Sequence, residues 1–338
     1  MKNNKVGTSG YGIFCLRAAA GILASLVFIA SVPSHAADVQ NYPKQQVKII
    51  APSGPGGGYD FVGRLLASKL PDQLPTGFYI ENRTGAGTLV GTQAAANAPP
   101  DGYTLVVGGV SNMVFNTALY RSLPYESASF VPLGMAVQYS YTMVTRKDLP
   151  QNTLKEVIAN AKANPGKMSI ATVGTGTGQQ VLAAAFLKMS GTDILQVPYK
   201  SAQAAYPDLF AGLVDLIIDT TPSIRPHIDS GRIKAIATLS AKRSVLLPTV
   251  PTAVEQGLSE LALESWFGLF APRKTPGPVI DRLRAAMIEV MRDPDLKKKF
   301  EMSGGQLMSM NVVETDAFLQ AERAKWSRII REAGITGE

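Results

Sequence analysis

Short apolar runs rich in β-branched residues alternate along the chain with stretches whose apolar positions recur every three or four residues, which predicts an α/β fold. Residues 47–50 predict a strand, and residues 59–70 a helix with Val62, Leu65, Leu66 and Leu70 on one stripe. A strand at 78–80, a helix at 87–97 and a strand at 103–107 follow. This βαβαβ order predicts a largely parallel sheet with helices on both faces. A second cycle starts after an extended stretch at 141–145. It comprises a helix at 153–163 stopped by Asn164-Pro165-Gly166, a strand at 168–172, a helix at 178–189 and a strand at 194–197. A helix near 202–211 and strands at 214–218 and 233–239 complete it.

Residues 265–270 read as a strand returning to the first unit. Thr275 is expected to cap, and Pro276 to open, a helix reaching Met291, with Val279, Ile280, Leu283, Met287, Val290 and Met291 inward. A last helix near 314–333 buries Phe318, Leu319, Trp326, Ile329 and Ile330 and ends at Gly334. Both helices are expected to pack on the first lobe. The pattern therefore divides into residues 37–137 plus 264–338 as lobe 1 and residues 138–263 as lobe 2.

Residues 1–36 change the picture at the front of the chain. Lys2, Lys5 and Arg17 precede an uncharged apolar run at 18–30, and Ser34-His35-Ala36 supplies small residues before Ala37. The run is too short to span a bilayer and has the flanks of a cleaved signal peptide. Export across the membrane, with cleavage near Ala36, is the expectation. Cys15 would leave with the leader, so no disulfide, thiolate nucleophile or thiolate metal site is expected. The net charge of +7 would fall to +4, because Lys plus Arg drop from 33 to 30 against 26 acids. Lys297-Lys298-Lys299 is the densest basic cluster and fits a solvated helix end. Nucleic-acid binding is not expected, since no basic face is patterned along the chain.

Three strand ends run into loops that open helices. They are Pro52-Ser53-Gly54-Pro55-Gly56-Gly57-Gly58 before Tyr59, Gly174-Thr175-Gly176-Thr177-Gly178 before Gln179, and Asp219-Thr220-Thr221-Pro222, where Thr221 is expected to cap. Open α/β sheets bind ligands at the carboxyl ends of their strands, and helix N-termini present unpaired N–H donors suited to carboxylate or phosphate. A plainer alternative stays open: Thr177 and Gln180 fit a capping box, and Asp60 fits a cap. The first loop lacks the Lys-Ser/Thr ending of a phosphate-binding loop, and Gln179 stands where a dinucleotide fingerprint needs glycine. No Gly-x-Ser-x-Gly elbow or metal-spaced His/carboxylate cluster is present. His227 reads as structural. Asp215 and Asp219 open and close one strand, too far apart for paired catalysis. No enzyme, cofactor or metal site is expected.

Several motifs carry a resemblance: Pro52 through Asp60, the Glu-Asn-Arg-Thr-Gly-Ala-Gly segment from Glu81, and Pro100-Asp101-Gly102-Tyr103-Thr104-Leu105. Ala163-Asn164-Pro165-Gly166-Lys167, Val197-Pro198-Tyr199-Lys200, Pro226-His227-Ile228, Ser240-Ala241-Lys242-Arg243-Ser244 and Leu247-Pro248-Thr249-Val250-Pro251-Thr252 extend it. Over residues 42–335 the chain closely resembles the Bug, or TctC, family of periplasmic solute receptors of tripartite tricarboxylate transporters. The resemblance implies a two-lobed, type II-like Venus flytrap that captures a small carboxylate, such as a di- or tricarboxylate or aromatic acid. It implies a monomer that delivers its ligand to a permease of one large and one small subunit. A ligand-sensing co-receptor for a membrane two-component sensor kinase is the alternative. Carried over, the ligand-binding residues are Ser53, Gly54, Gly56, Gly57, Gly58, Tyr59, Ser111, Thr175, Gly176, Thr177, Asp219 and Thr220. The chain departs from its relatives at Ser53, Gly54, Tyr59, Thr175, Ser201-Ala202 and Arg225. Tyr59 stacking on the ligand and Arg225 meeting a second carboxylate are one reading of this. An exposed Arg225 on its helix is the other.

Overall fold

A computed structural model describes residues 41–337 apart from Thr175, so the expected leader and its cleavage point lie outside the described residues. The first unit begins with β1 (Val47–Ala51), α1 (Gly58–Lys69), β2 (Phe78–Asn82), α2 (Leu89–Ala96) and β3 (Thr104–Gly109). Val62, Leu66 and Leu70 are buried as their spacing demands. A π-turn at Ser111–Phe115 then runs into the short α3 (Asn116–Leu119). Every residue of that turn is buried, so it carries no one-sided stripe for a periodicity reading to find.

The long β4 (Phe130–Arg146) leads to α4 (Leu154–Ala163), β5 (Ser169–Val173), α5 (Gly178–Ser190), β6 (Leu195–Tyr199), α6 (Ala202–Ala211), β7 (Leu216–Thr220), α7 (Thr221–Asp229) and β8 (Ile233–Thr238). The chain returns through β9 (Glu264–Pro272) and ends with α8 (Gly277–Arg292), α9 (Pro294–Met302), β10 (Gln306–Leu307) and α10 (Val312–Glu332). Sheet order is β2-β1-β3-β9-β4-β7-β5-β6, with β8 and β10 also on β4. Both βαβ portions are parallel, as expected: β1 lies between β2 and β3, and β5 between β6 and β7. The strands that close each sheet on the seam, β9 and β4, run antiparallel to their neighbours.

β4 joins the two halves. From Phe130 to Ser140 it pairs with β9, ending at Ser140 opposite Glu264; from Tyr141 it pairs with β7 and β8, beginning at Tyr141 opposite Thr220. The result is two α/β lobes hung on adjacent crossing strands. The C-terminal helices pack on the first lobe: Val279, Leu283 and Met287 join the cluster of Val47, Ile49 and Val62, and Trp326 meets Phe115 edge-on at 5.3 Å.

Two predicted caps are corrected. Val279 N–H and Ile280 N–H both donate to Pro276 O, so Pro276 is the N-cap of α8 and Pro278 takes its first turn. Thr275 N–H is used in a turn to Pro272 O, and its buried hydroxyl does not reach the helix. Thr221 does not cap α7 either. Its hydroxyl bonds Ser140 O at 2.9 Å and Thr142 Oγ1 at 2.8 Å, tying the helix to β4, while Thr220 stands at the N-cap.

Candidate ligand site

The first loop follows β1 and is held rigidly from beneath. Asn82 Nδ2 donates to Ser53 O at 3.0 Å and to Asp60 Oδ1 at 2.9 Å. Asp60, 3 % exposed, also accepts from Gly56 N–H and from Arg64 Nε, each at 2.9 Å. Burial alone would raise its carboxyl, but Arg64, Gly56 N–H and Asn82 together hold it below the ordinary aspartate value. Asp60 is thus a brace inside the first turn of α1, not its cap. Gly56 sits at φ +79°, a conformation that favours glycine. Gly57, the N-cap, has no side chain to offer, and its own N–H turns back to Gly54 O. The N–H groups of Gly58, Tyr59 and Asp60 consequently have no acceptor within the helix.

The second loop is capped more fully. Thr177 Oγ1 accepts from Gln180 N–H at 3.3 Å and donates to Gly174 O at 3.0 Å, and Gln180 Oε1 accepts from Gly176 N–H at 2.7 Å. Half of the capping-box alternative is therefore present, with Gln180 reaching one residue further back than Thr177. The loop still leaves the N–H groups of Gly178 and Gln179 without an intrahelical acceptor. Thr175, between its two positive-φ glycines, lies outside the described residues.

Asp219, 3 % exposed, is already enclosed by donors: Tyr206 OH at 2.6 Å, Thr220 N–H at 2.7 Å and Gln179 Nε2 at 3.0 Å. Burial pushes its carboxyl above the usual range despite these bonds. It positions Gln179 at the mouth of α5 from below. Thr220 turns its hydroxyl to Ser223 Oγ at 2.8 Å.

What gathers the expected residues is a tyrosine that the pattern did not single out. Tyr141, buried at the first position of β4 beyond the crossing, lies beside the Ser265 side chain and within electrostatic reach of Tyr59 and Asp219. Its hydroxyl is 2.1 Å from where a Cβ on Gly178 would stand. Tyr59 approaches from the first lobe: its hydroxyl interacts with the Ser111 side chain and lies 3.4 Å from Asn112 Oδ1. Its ring packs edge-on against Phe267 at 5.0 Å, and burial pushes its phenol up. Gly178 thus stands against Tyr141, Tyr59 and Asp219 lie within its electrostatic reach, and Ser111 is joined through Tyr59. Nearby, the lobes touch where Gly176 meets Asn116 and Leu119.

Arg225 is engaged elsewhere. It pairs with Asp229 at 2.7 Å and donates to Leu246 O. None of the expected ligand-binding residues is a cation, so those residues offer an anion neutral donors. His227 packs on Tyr206 at 4.6 Å and Phe210 at 5.1 Å, and burial lowers its pKa, in keeping with a structural role. Asp215 serves the other end of β7, bonding Arg146 Nε at 2.9 Å and Ser169 N–H at 2.8 Å.

Two lobes on crossing strands, with helix N-termini turned toward the seam, define a solute-binding protein of the Venus-flytrap class. The family model described as the tripartite tricarboxylate transporter family receptor, TctC, matches residues 62–335. The chain belongs to that family. It is 32 % identical over 311 residues to Protein BugT of Bordetella pertussis, covering 91 % of this chain and 95 % of that one. The solved structure of the periplasmic binding protein BugD superposes with a TM-score of 0.78 at 31 % identity, covering 87 % of this chain and 99 % of that one. Rpa4515 of R. palustris, solved with adipate, gives 0.80 at 28 % identity, with coverage of 87 % and 99 %.

Proposed function

We propose that this chain is an extracytoplasmic receptor that captures a small carboxylate and hands it unchanged to a membrane permease of the tripartite tricarboxylate type. It acts in the periplasm as a monomer, after loss of the leader near Ala36. Lobe 1 comprises residues 37–137 plus 264–338 and lobe 2 residues 138–263, a division supported by the change of β4 partners at Ser140 and Tyr141.

One observation carries the reading: two helix N-termini whose first N–H groups have no intrahelical acceptor lie against the paired strands of the seam, α1 where Gly58 meets Phe267 of β9 and α5 where Gly178 meets Tyr141 of β4. Such donors recognise an anion without the desolvation cost of a buried counter-charge. The first contacts fall to the backbone of residues 53–59, to Ser111 and to Thr175, Gly176 and Thr177. Asp219 and Thr220 hold the far rim, Asp219 through Gln179. Each hydrogen bond to a charged group contributes about 1.5–3 kcal/mol. Three or four of these, less the cost of closing the lobes, reach the roughly 8 kcal/mol of micromolar binding. The bound adipate in Rpa4515 supports a carboxylate ligand for this relative's site as well.

Thermal unfolding in a panel of mono-, di- and tricarboxylates, aliphatic and aromatic, tests this. A ligand at 100 times its Kd stabilises by about 2.7 kcal/mol. Some acids are expected to raise the melting temperature while their amides and methyl esters leave it unchanged. Equal shifts from the uncharged analogues would refute anion recognition, and appearance of a product on incubation would refute a receptor.

A further inference from the structure

Asn116, at the start of α3, is fully buried, and its amide is only half used. Nδ2 donates to Tyr125 OH at 2.9 Å and to Thr88 Oγ1 at 3.1 Å. Tyr125 OH spends its own proton on Asn112 O at 2.9 Å, so it can only accept from Asn116, which fixes the amide against a flip. Oδ1 therefore faces the second lobe, 3.2 Å from the position a Cβ on Gly176 would take, and has no hydrogen-bond partner among the described residues. The segment beneath it, Gly85 to Thr88, holds four successive positive φ values, two of them on Ala86 and Thr88, and so presents Thr88 to the amide in a conformation that side-chain-bearing residues rarely adopt.

The acceptor is covered by a residue of the opposite lobe. Held against Gly176 of the opposite lobe, Oδ1 is desolvated and has no hydrogen-bond partner among the described residues, an unfavourable state for a buried carbonyl that parting the lobes would relieve. Closure is thus disfavoured unless something in the cleft supplies a proton donor. A plain carboxylate has none.

We propose that Asn116 Oδ1 is a specificity-determining acceptor that selects carboxylates also bearing a hydroxyl or ammonium group. This inference rests on the carboxylate reading above and refines its substrate class. Hydroxyl and ammonium share the donor chemistry that Oδ1 requires, and the probes below separate them.

The test measures affinity calorimetrically for matched triplets: propionate, lactate and alanine; succinate, malate and aspartate; glutarate, 2-hydroxyglutarate and glutamate. In whichever series binds, the hydroxyl or amino member is expected to bind about tenfold or more tightly than its unsubstituted parent. Asn116→Leu, which keeps the volume and removes the acceptor, is expected to bring the members to within about twofold of each other. Equal affinity across a triplet in the wild-type protein overturns the assignment while leaving carboxylate recognition intact, and this holds whether or not the variant folds. A preference that persists in Asn116→Leu overturns it too, placing the discrimination on another group. If no acid binds better than its methyl ester, the carboxylate reading fails and this inference falls with it.

Discussion

Asp219→Ala is expected to cost about 2–4 kcal/mol of folding stability, whereas Asp219→Asn costs far less and flattens the dependence of stability on pH. The alanine strands three donors that now converge on the carboxylate, from Tyr206, Thr220 N–H and Gln179. Asparagine keeps the shape: its carbonyl accepts from Thr220 N–H and Gln179, and its amide donates to the phenol oxygen of Tyr206. The pH dependence follows from burial, which pushes the carboxyl above its ordinary value even though Tyr206, Thr220 N–H, Gln179 and the nearby His227 favour the charged form. The folded protein holds this proton more tightly than the unfolded chain does. The contribution is fully present below the unfolded value of about 3.9 and is lost as pH rises through the folded value. Asparagine does not titrate, so its stability relative to wild type should climb as pH rises above the unfolded value and level off above the folded one. Urea unfolding from pH 3.5 to 7.5 measures both effects. A wild-type to asparagine gap that stays constant with pH would mean the carboxyl titrates as though exposed.

The two α/β cycles were legible because buried parallel strands read as apolar runs and their crossover helices as stripes, both local signals. The first half of β4 was not. Pro132 and Gly134 interrupt its apolar run, and the register against β9 shifts between Pro132 and Gly134 and again between Met135 and Val137. Two helix starts were misplaced for a related reason: a threonine beside a proline looks like a cap whether its hydroxyl serves the helix or, as in Thr221, a strand 79 residues away. The loops of the site were equally readable, since glycine and threonine after a strand are adjacent in sequence. The side chains that set those loops are remote. Asn82 braces Ser53 across 29 residues and Gln179 meets Asp219 across 40, and no local pattern encodes either contact. Tyr141 was visible only as the start of an extended run. Its importance comes from the crossing of two strands, which a one-dimensional reading places to within several residues at best.

Gly178→Ala joins local propensity and remote packing in one substitution, with opposite signs. Gly178 opens α5 without a positive φ, so helix propensity alone favours alanine by up to about 1 kcal/mol. The added methyl would stand 2.1 Å from Tyr141 OH and 2.6 Å from its Cζ. Tyr141 cannot yield cheaply, because the residue is 3 % exposed and enclosed by the protein. Overpacking of this kind costs about 1–3 kcal/mol, so the net change should be destabilising. Relief comes from displacing the start of α5, which moves the Gly178 and Gln179 N–H donors away from the anion. Losing one charge-assisted bond of about 1.5–3 kcal/mol weakens binding by roughly 10–100-fold. Tyr141→Phe in the same chain removes the nearest clashing atom but not the ring carbon, so it should restore part of both losses, and a double-mutant cycle reads that coupling directly. If Gly178→Ala were as stable and as tight-binding as wild type, Tyr141 would have room to move, and it would not fix the start of α5.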